Sequence, residues 1–112
     1  MPNDTVTTEN LGEKMFDAAK SSLGDKFVLI KHFLRDESEK LAITLRMIME
    51  ASATGDITRT EARILLNQQK VAASAVLTSA EGLTAVAVQA ALNAALKSVR
   101  DFVNGKAGFA LV

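Results

Sequence analysis

From residue 8 to residue 104 the chain contains no proline, and its only glycines are Gly12, Gly24, Gly55 and Gly82. Proline and glycine interrupt helices more strongly than any other residues, so a segment this poor in them can form long helices. No stretch shows the sustained apolar–polar alternation of a half-buried strand. The predicted class is therefore all-α.

The clearest break is Ala53-Thr54-Gly55-Asp56-Ile57, where Gly55 can adopt the left-handed backbone that closes a helix. Thr58-Arg59-Thr60-Glu61 follows it with the spacing of a capping box, which predicts a helix start. The next stop is expected at Asn104-Gly105, after Lys97 and Arg100, whose charges suit a helix C-terminus. A first helical arm over about residues 8–53 and a second over about 59–104 would each be about 69 Å long if unbroken. Two equal arms about one short turn describe a long antiparallel helical hairpin. Two weak points could cut the arms, and breaking both would give four shorter helices and a closed bundle in place of the preferred hairpin. One is Ser21–Asp25, with Ser22 as a new N-cap, and the other is Glu81-Gly82. The expected organisation is a flexible N-terminus over 1–7, a single hairpin domain over 8–104 with its turn near 53–58, and an apolar tail over 105–112. At 112 residues, one domain is what the length accommodates.

Leu23, Phe27, Ile30 and Leu34, then Leu41, Leu45 and Ile48, recur at spacings of three and four along the first arm. They form one inward seam, interrupted at Glu37 and Ser38. Antiparallel register about residue 56 pairs positions whose numbers sum to about 112, which sets Ile30 near Gly82 and Phe27 near Ala85. Phenylalanines concentrated in the first arm would then face the alanines of the second.

Residues 71–96 carry a single charge, Glu81, and ten alanines. A helix apolar on every side must be buried on every side, and a two-helix hairpin covers only one face of each arm. The second face therefore predicts self-association, most simply a two-fold dimer completing a four-helix bundle, while a higher oligomer or a different protein partner would meet the same requirement. The expected interface comprises Val71, Ala75, Val86, Val88, Leu92 and Val99, with Phe102, Phe109 and Leu111 toward the chain end. Gln68, Glu81, Gln89 and Asn93 are polar residues among apolar ones, suited to fixing register or acting as a switch. The alternative is a conditionally membrane-active or exported hairpin that inserts residues 71–96, since 26 residues exceed the roughly 20 needed to span a bilayer. Against it, Glu81, Gln89 and Asn93 would each be costly in hydrocarbon.

Composition removes other classes. There is no Cys, hence no disulfide, thiolate metal site or Cys nucleophile. His32 is the only histidine and stands outside any Glu-x-x-His unit, so no di-metal bundle, metal or other cofactor is expected. No phosphate loop or triad spacing occurs, and an enzyme is not expected. Thirteen basic residues balance thirteen acidic ones, which disfavours nucleic acid as a partner. Asp36, Glu37, Glu39 and Lys40 read as the solvated face of the first arm, or as an interarm ion-pair region. The polar N-terminus does not resemble a secretory signal, so the expected compartment is the cytoplasm, with signal-independent export left open. In length and hairpin plan the chain is similar to the small secreted helical hairpins of the WXG type, whose turn carries Trp-x-Gly. Here the turn reads Ala53-Thr54-Gly55 and the chain has no Trp, so the likeness is one of architecture.

Overall fold

The computed structural model describes residues 5–80 and 82–112. It contains four α-helices: α1 (Leu11–Leu23), α2 (Phe27–Ala53), α3 (Arg59–Thr78) and α4 (Ala85–Ala107), with one 3-10 turn at Gly24–Lys26 between α1 and α2. No strand occurs among the described residues. The chain is all-α, as its sequence predicts. Both weak points break, however, so each expected 46-residue arm is two helices and the bundle closes within one chain.

Each boundary has a local cause. Before α1, Thr7 and Asn10 exchange backbone-to-side-chain bonds, the Thr7 amide donating to Asn10 Oδ1 at 2.7 Å and the Asn10 amide to Thr7 Oγ1 at 3.2 Å. That closed turn delays the helix to Leu11, three residues later than expected. α1 ends where the Gly24 amide donates back to the Lys20 carbonyl. Ser22 lies inside α1 rather than capping the next helix, so glycine geometry and not a serine cap makes this break. The turn at Gly55 and the capping box both form as expected. The Glu61 amide donates to Thr58 Oγ1 at 3.0 Å and the Thr58 amide to Glu61 Oε1 at 2.8 Å. The bond from the Thr58 amide, then that from its hydroxyl, holds the Glu61 carboxyl below its ordinary pKa.

The second arm breaks at Gly82, whose φ of +88° is open to glycine and strained for other residues. Thr84 then caps α4, its hydroxyl accepting from the Ala87 amide at 3.1 Å. At its far end α4 passes straight through the expected stop at Asn104-Gly105 and continues to Ala107, where Gly108 closes it. Gly105 sits in ordinary helix with open space around it.

Successive helices run antiparallel, and α1 returns to pack most extensively on α4. Gly12 permits a close approach of α1 to α2, since a side-chain carbon there would collide with the Glu39 carboxylate. Buried side chains of α1, α2 and α4, including Leu11, Met15, Leu34, Leu45, Val88 and Val99, form the main core. Helix α3 is peripheral. It buries only Ala62, Leu66, Ala73 and Leu77, one narrow seam, and α4 contacts α2 more extensively than it contacts α3. The expected register between the first and second arms is retained across α2 and α3. A side-chain carbon on Gly82 would lie 3.1 Å from Leu29 Cδ1, and Lys26 Nζ reaches the Gly82 carbonyl at 3.5 Å. The phenylalanines do not face the alanine arm as a set. Phe16 and Phe27 meet each other edge to face at 5.5 Å across the first break, and Phe33 is exposed. Glu37 departs from the solvated-face reading, being buried in the seam and paired with Lys40 at 3.0 Å.

Two glycine substitutions test these boundaries. Gly82→Ala should cost about 1 kcal/mol or more, through backbone strain and crowding of Leu29. Gly105→Ala should instead stabilise by about 0.5–1 kcal/mol, because it replaces a glycine inside a helix. Urea unfolding of both variants beside the parent measures the difference.

Candidate functional site

Helix α2 turns Ile30, Leu34, Leu41, Leu45 and Ile48 to the core, and its opposite side would ordinarily be charged. That side does carry exposed charges, among them Arg35, Asp36, Glu39 and Lys40, but it also exposes Val28, Leu29, Phe33, Ile43 and Met47, Met47 at 66%. Helix α3 repeats the pattern with Ile64, Leu65 and Val71 exposed. These two helices therefore hold eight of the nine large apolar side chains exposed among the described residues, the ninth being Val86 at the start of α4. Isolated exposed apolar residues are common on proteins, and their concentration on two adjacent helices sets α2 and α3 apart from the rest of the described surface.

At the turn end of the α2–α3 hairpin lies an open groove of about 380 Å³. Thr44, Met47, Ile48 and Ala51 from α2 form one wall, Leu65, Gln68 and Gln69 from α3 the other, and Ile57 closes the end. The lining is mainly apolar. Gln68 also borders a second depression with Ile64 and Asn67, so the outer side of α3 is a ridge between two hollows. Along this ridge Ile64, Gln68, Val71 and Ala75 follow at spacings of four, three and four, and all four are exposed. Between Ile64 and Ser79 the only charged residue is Lys70.

The expected interface divides accordingly. Val71, Ala75 and Val86 are exposed, whereas Val88, Leu92, Val99 and Leu111 are buried within the chain. All four belong to the internal core: the break before α4 turns Val88, Leu92 and Val99 inward, chiefly onto α1, and the returning tail buries Leu111. Phe102 and Phe109 are half-buried, each beneath a cation: Lys106 over Phe102 at 5.7 Å, and Arg59 and Arg63 over Phe109 at 5.4 Å each. Of the polar candidates, Gln68 sits on the ridge, and Gln89 donates to Asn93 Oδ1 at 3.2 Å on the exposed side of α4. Glu81 lies outside the described residues. The 26-residue stretch 71–96 is shared between α3 and α4 rather than forming one helix, and no helix among the described residues is long and apolar enough to cross a membrane. His32 is exposed on α2, and no cluster of metal-ligating side chains occurs among the described residues.

The apolar tail folds back on its own chain. Asn104 Oδ1 accepts from the Leu111 and Val112 amides at 2.9 Å each, Asn104 Nδ2 donates to the Val112 carbonyl, and Arg63 Nη2 donates to the Ala110 carbonyl. The residue expected to stop α4 therefore serves as a clamp for the tail.

Met47, Ile64 and Leu65 were not among the interface residues expected from the sequence. Leu29, Phe33, Ile43 and Met47 do follow a helical period beside the dominant seam of the first arm, but Asp36 and Lys40 interrupt it and weaken the signal. Compared with protein-family models, curated sequences and solved structures, the chain matches none.

Asn104→Ala should release the tail. The expected result is loss of hydrogen-exchange protection at the Leu111 and Val112 amides with a stability decrease of about 1–3 kcal/mol, read by exchange NMR and chemical denaturation.

Proposed function

We propose that this chain is a non-enzymatic helical module whose role is assembly, and that it self-associates through the exposed side of the α2–α3 hairpin. The observation that carries this reading is the concentration of Phe33, Ile43, Met47, Ile64, Leu65 and Val71 on two neighbouring helices, beside an apolar groove. Removing that surface from water is the available driving force, since each fully buried large apolar side chain contributes about 1.5–3 kcal/mol. The zero net charge sets up no long-range repulsion between copies. The surface differs from the one expected from sequence, because most of the apolar side of α4 is already used inside the chain.

Light scattering after size exclusion, over a dilution series from high to low micromolar, tests the proposal. A mass of twice 11.9 kDa or more at the concentrated end is expected. A single mass of 11.9 kDa throughout, with full helicity, would contradict it.

A further inference from the structure

We infer that a hollow between α3 and α4 is a binding site for a small organic phosphate, a phosphate monoester on a short apolar body. The two helices touch each other less than either touches α2, and an opening of about 290 Å³ lies between them. On α4, Asn93, Lys97 and Arg100 follow at spacings of four and three and so share one side of the helix. All three line the hollow, and Lys70 lines it from α3. Buried Leu66, Leu96 and Leu111 form its apolar floor. The site lies on the flank of α3 toward α4, and it stands independently of the self-association proposed above.

Charge identifies the occupant. Half-buried Lys70 and exposed Lys97 make no hydrogen bond or ion pair among the described residues. Arg100 has one distant partner, the fully exposed Asp101 carboxylate at 3.9 Å. Asn93 Oδ1 already accepts from Gln89, which leaves the Asn93 Nδ2 donors unengaged. Val112 also borders the hollow, but its carbonyl accepts from Asn104 Nδ2 at 3.2 Å, and it forms no ion pair with the three cations. No Asp or Glu among the described residues lines this hollow, or the adjoining one that shares Lys70. The site therefore gathers donors with no acidic side chain to meet them, in a chain whose net charge is zero. A phosphate monoester carries about −1.5 to −2 at neutral pH, which matches the unpaired Lys70 and Lys97, whereas a carboxylate balances only one of them. The leucine floor then takes the apolar body, the combination of a few polar groups on apolar walls that small-ligand sites use.

Phenyl phosphate, titrated into isotopically labelled protein and followed through amide NMR shifts, tests the site. It should move the Lys70, Asn93 and Lys97 signals saturably. Lys97→Gln, a change at an exposed residue, should weaken binding about tenfold while the circular dichroism spectrum stays that of the parent. Lys106→Gln, which removes a cation lying over Phe102 and outside the hollow, should leave binding unchanged. Inorganic phosphate and benzoate should each bind about tenfold more weakly than phenyl phosphate, the first for want of the apolar body and the second for want of charge. The site is overturned if no saturable shift occurs at these residues, if Lys97→Gln binds as the parent does, or if Lys106→Gln weakens binding equally. Benzoate binding as tightly as phenyl phosphate overturns the phosphate head group, and inorganic phosphate doing so overturns the apolar body.

Discussion

The chain reverses at Gly82, and the arrangement of its helices follows from that reversal. A φ of +88° takes the backbone out of the helical region, and Thr84 two residues later restarts it by accepting the Ala87 amide. Without this turn, residues 59–107 would run on as one helix, with the apolar sides of residues 71–77 and 88–99 on a rod that a single neighbour could not cover. With it, α4 doubles back and buries Val88, Leu92, Ala95 and Val99 in the core beside α1. A glycine and a threonine cap thus turn a requirement for a partner into an intramolecular core.

The reversal also leaves something undone. Once α1, α2 and α4 share the main core, α3 needs only a narrow seam to stay attached, and Ala62, Leu66, Ala73 and Leu77 provide it. Its opposite side is then free, with Lys70 the only charge between Ile64 and Ser79, and so is the neighbouring strip of α2, where Asp36 and Lys40 stand among the exposed apolar residues. In the proposed self-association, the surface that meets a partner is therefore the outer side of α3 and α2 rather than α4. The C-terminal tail follows the same logic as α4. Its apolar residues find cover on their own chain, with Asn104 bonding the returning backbone and Arg59 and Arg63 lying over Phe109.

Much of the fold is legible in the residues. The scarcity of breakers indicates helices, Gly55 and the Thr58–Glu61 box mark the central turn, and the sum-to-112 register survives in the approach of Leu29 to Gly82. What pattern alone does not decide is whether a glycine in a helical stretch bends the chain. Gly105 is ordinary helix while Gly82 is a reversal, and the difference lies in neighbours. Gly82 has Ser79 and Thr84 close by to end one helix and start the next, whereas Asn104 beside Gly105 is engaged by the tail. The site was harder to read for a related reason. An apolar stripe looks the same whether it is core or interface, so Val88 and Val71 could be separated only by knowing which way α4 turns. Glu37 shows the converse, a charged residue held in the seam by position and paired one turn away with Lys40.

The reversal can be measured directly by placing spin labels at Asn67→Cys and Gln89→Cys, diluted into unlabelled protein so that only pairs within one chain are read. Asn67 and Gln89 border the same depression between α3 and α4. With helix axes about 10 Å apart, the account predicts a label separation below about 20 Å. The same residues on one continuous helix would stand about 33 Å apart, and that distance would contradict it.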